Sequence, residues 1–182
     1  AWAIGRSFSE GKRVSPEFSE FLVDSMSLAA LGTIADVVPL RGENRVIAAF
    51  GLKGLAASNA PGIRALREAA EVPPENLSAF DVAFKLAPRL NAAGRLGSAS
   101  DVVELLTTTD LTRARAIAAR LNQENARRQR VQDGILTEAT EMIESAGSAE
   151  ERFALILAKE GWHPGVVGIV AARLVETYWR PV

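Results

Sequence analysis

The sequence predicts an α/β protein, of which this chain is mainly α-helical and ends on the first strand–helix unit of an α/β domain. Ser15-Pro16-Glu17 is a strong helix start, with a capping hydroxyl, a proline in the first turn and an acid facing the helix dipole. A proline-free stretch over 111–145 predicts one long helix. Near the end, the apolar run 153–158 predicts a buried strand, and the pattern over 164–178 predicts the helix that follows.

Short helices are expected in the first part of the chain, over 44–57, 62–70, 78–87 and 100–106. Ser78 and Asp81 have the spacing of a capping box, and Pro88 is expected to end the helix that they begin. The segment 89–97, which contains two glycines, is therefore predicted to be a loop.

The long helix is expected to begin after the capping residue Asp110 and to span about 50 Å. Polar residues interrupt its apolar stripe in the middle, at Asn125, Arg128, Gln129 and Gln132. A helix that is packed at both ends and wet in its middle suits a bridge between domains. The predicted organisation is a first domain over 1–108, a connecting helix over 109–147 and a truncated second domain over 148–182.

The composition excludes several classes of site. The chain has no cysteine and one histidine, His163, so neither disulfides nor thiolate or histidine-rich zinc sites can form within it. No signal peptide or uninterrupted apolar run of membrane-spanning length is visible, and a cytoplasmic location is expected. The net charge of −1 says nothing about nucleic acid, since binding depends on local patches. The chain begins without methionine and ends within an apolar segment, which suggests a fragment.

Asp36 is a single carboxylate in the apolar run 28–40. A carboxylate in such a run must be paired, hydrogen-bonded or bound to a cation, and Mg²⁺ and Mn²⁺ prefer oxygen ligands. By spacing alone, a partly exposed aspartate that forms a cap or an ion pair is the plainer interpretation.

Two further segments have residue types suited to phosphate. In 89–97, Arg89, Asn91 and Arg95 supply hydrogen-bond donors beside small residues, although an ordinary loop with solvated arginines is the plainer interpretation. In 159–168, His163 and Gly165 precede a helix N-terminus, where unpaired N–H groups attract anions. Trp162 beside them fits either a stacked base or a hydrophobic core.

The predicted long helix is also rich in arginine. Such a surface can follow a phosphate backbone, although a charged helix face more often serves solubility. The residues are Arg113, Arg115, Arg120, Arg127, Arg128 and Arg130.

Taken together and in order, five segments resemble the RecJ branch of the DHH phosphoesterase superfamily. They are Leu31–Leu40, Gly42–Arg45, Pro88–Leu96, Leu121–Gln129 and Gly161–Ala171, the last resembling the start of a DHHA1-type domain. The resemblance implies an exonuclease that removes nucleotides from the 5′ end of single-stranded DNA in repair and recombination, with Mn²⁺ or Mg²⁺ held by carboxylates and an Asp-His-His motif.

The resemblance also implies roles for particular residues. Asp36 matches the last metal-binding aspartate of the family and would be catalytic. The nucleic-acid-facing positions would be Arg89, Asn91, Arg95, Arg128, Gln129, His163 and Gly165. The sequence departs from the family in lacking the Asp-His-His triplet and the earlier aspartates, and Ala172 stands where serine is expected. The isolated chain is therefore expected to be inactive.

Three alternatives stay open at this point. The first is another phosphoesterase of the superfamily, such as an oligoribonuclease or a pyrophosphatase, against which the long helix and the segment 88–96 argue. The second is a non-catalytic helical module that binds nucleic acid or protein. The third is a linker that binds nothing. Self-association through the apolar edge of 152–158 is a further expectation for a truncated second domain.

Overall fold

The computed structural model describes residues 15–147 and 152–182. Over these residues the chain is mostly helical, and no strand is assigned among them. The helices are α1 (Pro16–Ala35), α2 (Gly42–Ala57), α3 (Pro61–Ala69), the single turn α4 (Ala79–Asp81), α5 (Ala87–Leu96), α6 (Ser100–Thr107), α7 (Leu111–Ser145) and α8 (Pro164–Tyr178), with a 3₁₀ turn at Pro74–Asn76 and a π turn at Val82–Leu86.

Helix α1 begins as the sequence predicts. The hydroxyl of Ser15 accepts a hydrogen bond from the backbone N–H of Phe18 at 3.3 Å, and Pro16 occupies the first helical position. Helices α1 and α2 pack against each other so closely that a Cβ atom at Gly51 would lie 2.3 Å from the Cβ of Ala30. By length and composition alone, α1 is also able to cross a membrane, a test that the core helix of a soluble protein passes as well.

The helix that starts at Ser78 does not end at Pro88, so the prediction of a loop over 89–97 is wrong. The capping box itself is confirmed, because Ser78 and Asp81 exchange two hydrogen bonds of 3.1 Å between backbone and side chain. Beyond it the backbone widens into the π turn, in which the N–H of Ala87 reaches the carbonyl of Val82, five residues back. The wider turn changes the register, and Pro88 then stands in the first turn of α5 while the helical backbone continues past it.

Helix α7 confirms the predicted long helix and its cap. The carboxylate of Asp110 accepts hydrogen bonds from the backbone N–H groups of Thr112 at 2.8 Å and Arg113 at 3.3 Å. The N-terminal half of α7 packs into a first hydrophobic cluster with residues of α1 to α3, the π turn, α5 and α6, through Ala114, Ile117, Ala118 and Leu121. Its C-terminal half contributes Ile135, Ala139 and Ile143 to a second cluster with Leu155, Val166, Val170 and Leu174.

The middle of α7 is polar but largely covered, which corrects most of the prediction. Asn125 is 6% exposed and Gln132 is 4% exposed, Arg128 is half-buried, and Gln129 is exposed as predicted. Helices α5 and α8 each pack on α7 and also touch each other, so they shield this part of the helix. Sequence periodicity identifies polar side chains, but it does not show that two other helices cover them.

The predicted strand over 153–158 is not present as a strand. One backbone hydrogen bond, from the N–H of Leu155 to the carbonyl of Pro181 at 2.8 Å, links this segment to the end of the chain. Leu155 is 2% exposed and packs in the second cluster, whereas Phe153 and Ile156 are 98% and 93% exposed. A strand requires repeated pairing with a neighbour, and this segment has a single such bond among the described residues. The helix that follows, α8, is confirmed.

Candidate nucleic-acid interface

Asp36 is the C-cap residue of α1, and its side chain is exposed. Its backbone N–H donates to the carbonyl of Gly32 at 3.0 Å, and the next residue, Val37, has a φ of +54°. A β-branched residue in the left-handed region is strained, and such strain clusters at functional turns. The carboxylate of Asp36 is therefore not buried with the apolar residues around it. Helix α1 ends at Ala35, and the Asp36 side chain lies on the surface.

The described residues do not fit a complete metal centre. Over residues 15–147 and 152–182, no group of three or more histidine, cysteine, aspartate or glutamate side chains is arranged to hold a metal ion. Asp36 alone supplies one carboxylate, whereas Mg²⁺ requires close to six oxygen ligands. Asp36 can act as one ligand of a larger site, but not as the site itself.

Because 87–96 is a helix, Arg89 lies on a different face from Asn91 and Arg95. Asn91 and Arg95 are four residues apart and share an exposed face of α5. Arg89 instead faces α7, where its Nε donates to Oδ1 of Asn122 at 2.9 Å while one terminal nitrogen donates to the carbonyl of Lys85 at 2.5 Å. Burial lowers the pKa of the Arg89 guanidinium. Arg89 thus holds α5 and the π turn against α7, and Asn91 and Arg95 remain accessible.

Arg95 joins α5 to the N-terminus of α8. One terminal nitrogen of its side chain donates to the carbonyl of Gly165 at 3.0 Å. The backbones also meet here, since a Cβ atom at Gly165 would lie 2.6 Å from the carbonyl oxygen of Arg95. The structure therefore brings together two residues that are 70 positions apart, and it shows that the missing side chain of Gly165 makes room for α5.

His163 caps α8. Its Nδ1 accepts a hydrogen bond from the backbone N–H of Gly165 at 3.1 Å, so in the neutral imidazole the proton lies on Nε2, which is able to donate. The neighbouring Trp162 packs against the second cluster, and its indole N–H donates to the carboxylate of Glu138 at 2.7 Å. These contacts favour a core role for Trp162 over base stacking.

Arg128 lies half-buried in the middle of α7. One terminal nitrogen donates to Oε1 of Gln132 at 3.3 Å, while its Nε is buried without a hydrogen-bond partner. Burial lowers the pKa of Arg128, and the positive charges of Arg95 and Arg173 lower it further, against the opposing effect of Asp133. Arginines from α5, α7 and α8 thus lie near one another. Gln129, next in sequence, is exposed.

Arg173 is the member of this group that the sequence did not single out. It lies on α8, and its guanidinium is 3.9 Å from the carboxylate of Asp133 on α7. Its place beside Arg128 depends on how α8 packs on α7, for which the one-dimensional pattern contains no signal.

Three arginines in the N-terminal half of α7 are in a different electrostatic state. Each of the three is paired with an acid from a neighbouring helix of the first part of the chain, whereas Arg127 lies 3.8 Å from Glu124 on α7 itself. The pairs are Arg113 with Glu104 at 2.5 Å, Arg115 with Glu68 at 2.8 Å and Arg120 with Asp101 at 2.6 Å. The predicted basic surface along the whole helix is therefore neutralised over this half.

No protein-family model matches the chain. Among curated proteins, it is 41% identical over 178 residues to the single-stranded-DNA-specific exonuclease RecJ of Bacillus subtilis, an alignment that covers 98% of this chain and 22% of that protein. It is 43% identical over 155 residues to RecJ of Thermus thermophilus, covering 85% of this chain and 22% of the relative. The chain is homologous to a segment of RecJ exonucleases.

Solved structures agree with this assignment. RecJ of Thermus thermophilus in complex with Mn²⁺ matches with a TM-score of 0.77 and 40% identity, over 87% of this chain and 23% of that one. An exonuclease RecJ bound to manganese matches with a TM-score of 0.75, over 87% of this chain and 39% of that one. RecJ of Thermus thermophilus has also been solved with Mg²⁺. The chain spans less than half the length of each of these RecJ proteins and structures.

Proposed function

We propose that this chain is the part of a RecJ-type exonuclease that binds single-stranded DNA along the junction of α5, α7 and α8. The observation that carries the proposal is the convergence of Arg95, Arg128 and His163 there, from three helices and three separate segments of the sequence. Guanidinium groups that lack an acid partner are suited to phosphate oxygens. The chain is 41% identical, over 98% of its length, to a single-stranded-DNA-specific exonuclease, which supports single-stranded DNA as the ligand.

Within this interface the residues have distinct proposed roles. Asn91, Arg95, Arg128 and Gln129 contact the backbone phosphates, and His163 donates from Nε2 to a phosphate oxygen. Gly165 contributes by letting α8 approach α5, and Arg89 by fixing α5 on α7. Arg89 and Gly165 then do not contact the DNA. They are required for binding because they position the helices that carry the contacting residues.

For the intact parent protein we propose metal-dependent hydrolysis of the strand from its 5′ end, in DNA repair and recombination. The related RecJ structures contain Mn²⁺ or Mg²⁺. Asp36 is the proposed catalytic carboxylate and metal ligand within this chain, supported by its exposed position at the end of α1 and by the strained residue after it. The isolated 182-residue chain is expected to show no Mn²⁺-dependent nuclease activity, because one carboxylate cannot hold the metal.

The test compares Asp36→Asn with Asp24→Asn in the full-length parent protein. Both aspartates are exposed carboxylates in or at the end of α1, so the two variants remove the same charge from the same helix. Digestion of 5′-labelled and 3′-labelled single strands is followed with Mn²⁺ present. The expected result is loss of 5′-directed digestion in Asp36→Asn only. Normal digestion by Asp36→Asn would contradict the catalytic role, and preference for mononucleotides or short RNA would favour another phosphoesterase of the superfamily.

A non-catalytic binding module is the second candidate function. The observation that favours it is the helical architecture with a group of arginines at the middle of α7. It predicts salt-dependent binding of single strands that is indifferent to Asp36 and to metal. The assay on the parent protein separates the two candidates, because only the exonuclease loses activity in Asp36→Asn.

The isolated chain is also proposed to self-associate through 152–158. Phe153 and Ile156 are almost fully exposed, beside an apolar groove of about 480 Å³ lined by Leu155, Trp162 and Leu174. Light scattering of the chain should show a mass above that of the monomer that falls when Ile156 is replaced by lysine. A clean monomer at the same concentration would contradict the proposal.

A further inference from the structure

The ion pair between Arg173 and Asp133 is loose. The closest distance between guanidinium and carboxylate is 3.9 Å, and the two side chains are 54% and 71% exposed. By contrast, Arg113 holds Glu104 through two hydrogen bonds of 2.5 Å and 2.9 Å. A long, exposed pair contributes little to stability and exchanges readily for a better-placed partner.

The group of charges around this pair is unbalanced. Arg95 donates to the carbonyl of Gly165, and Arg128 donates to the amide oxygen of Gln132, so both guanidinium groups donate to neutral acceptors. At Arg128, the positive charges of Arg95 and Arg173 are opposed by one acid among the described residues, Asp133, so positive charge is in excess there. Arg128 is also half-buried, which raises the cost of an uncompensated charge.

We propose that Arg173 is a third phosphate-binding arginine beside Arg95 and Arg128, and that Asp133 is the resident counter-charge from which a phosphate group of the DNA displaces it. The proposal rests on the proposed function, because it assumes that the strand occupies the junction of α5, α7 and α8. A phosphate offers acceptor oxygens in the forked geometry that a guanidinium matches, which the long contact to Asp133 does not. The ligand is thus a phosphate group of a single strand, either internal or at the 5′ end.

Asp133 then acts as a competitor for the site. Removing its charge frees Arg173 and strengthens binding, whereas removing Arg173 weakens binding and makes Asp133 irrelevant. An acid that only stabilises the helix would not show this pair of opposite effects.

The experiment measures binding of the full-length parent protein, without divalent metal so that the strand is not digested, to a single-stranded oligothymidine labelled at its 3′ end. Fluorescence anisotropy follows binding over a range of salt concentrations. Arg173→Gln should weaken binding roughly threefold to tenfold and reduce the slope of log affinity against log salt by about one. Asp133→Asn should strengthen binding roughly threefold to tenfold. The double variant should bind like Arg173→Gln alone.

The matched controls are Arg115→Gln and Glu68→Gln, which break an ion pair on the same helix within the neutralised half. Both should bind like the unmodified protein. A larger deficit of Arg173→Gln on a 5′-phosphorylated strand than on a 5′-hydroxyl strand identifies the terminal phosphate as the ligand, and equal deficits identify an internal phosphodiester.

The outcomes separate this inference from the proposed function. If Arg128→Gln weakens binding while the Arg173 and Asp133 variants bind normally, the further inference is wrong and the proposed function stands. If Asp133→Asn weakens binding, Asp133 is a structural partner rather than a competitor, and the inference is also wrong. If Arg128→Gln and Arg95→Gln bind normally as well, the interface itself is misplaced and both proposals fail.

Discussion

The two halves of α7 carry similar arginines with different partners. In the N-terminal half, Arg113, Arg115 and Arg120 meet acids supplied by α3 and α6. From the middle of the helix onwards, Arg128 meets a glutamine and two other arginines, with Asp133 as the opposing charge. The difference shows that an arginine on a helix acquires its role from the helices that pack against it rather than from its own sequence.

The hydrophobic clusters at the two halves of α7 also differ in how many other helices enclose them. The first cluster draws on α1 to α3, the π turn, α5, α6 and α7 and closes around Leu66 and Leu121, which are 0% and 1% exposed. The second is built from α7, α8 and Leu155, and it lies beside exposed Phe153 and Ile156. The first cluster is thus enclosed by many helices, whereas the second lies beside an apolar groove.

The largest expected effect is on the free energy of unfolding, and it differs between the two hydrophobic clusters. Leu66→Ala should lower the free energy of unfolding by about 2–5 kcal/mol, because it leaves a cavity in a core that cannot collapse around it. Leu174→Ala in the second cluster should cost less, since that cluster is open on one side. Chemical denaturation followed by circular dichroism measures both. Equal losses would show that the second cluster is as well packed as the first, which breaks the comparison.

An intermediate effect is expected where the two halves meet. Gly165→Ala places a methyl group against the carbonyl of Arg95 and should cost about 1–3 kcal/mol, because the backbones of α5 and α8 must separate. Gly168 lies in the same helix with nothing within 4 Å of an added Cβ, so Gly168→Ala should stabilise α8 by about 0.5–1 kcal/mol. Thermal unfolding distinguishes the two variants. A stabilising Gly165→Ala would mean that α5 and α8 do not touch in solution.

The smallest expected effect is a pH dependence of the contact between Glu138 and Trp162, in the C-terminal half of α7. Lys159, and then the indole N–H of Trp162, hold the pKa of Glu138 below its ordinary value. Because the folded pKa is lowered, this contribution to stability is present above the unfolded value and is lost as the pH falls through the folded one. The indole N–H resonance of Trp162 should therefore shift when acidification protonates Glu138, at a pH below the ordinary range of a glutamate carboxyl.

Glu138→Gln is the control for that titration. It removes the ionisable group but keeps a hydrogen-bond acceptor for the indole. The resonance should then stay constant over the same pH range. A shift that persists in Glu138→Gln would assign the titration to another group and leave Trp162 unconnected to Glu138.

Helix positions were largely predictable from local chemistry. The start of α1 at Ser15-Pro16, the capping box at Ser78 and the cap of α7 at Asp110 were all confirmed, because caps depend on residues within a few positions of one another. The loop predicted over 89–97 failed for the opposite reason. Whether Pro88 ends a helix or begins one depends on the π turn before it, which periodicity does not reveal.

The sequence by itself determined the order and ends of most helices, and it contained the residues of the candidate interface. Only the tertiary structure decided that Arg89 faces Asn122 while Asn91 and Arg95 face outward, and that Arg173 joins Arg95 and Arg128. Local hydrogen bonds and helix propensities act over a few residues, so they can be inferred from the amino-acid sequence. Charge balance and burial depend on which distant helices meet, so they were settled by the packing of α5 and α8 on α7.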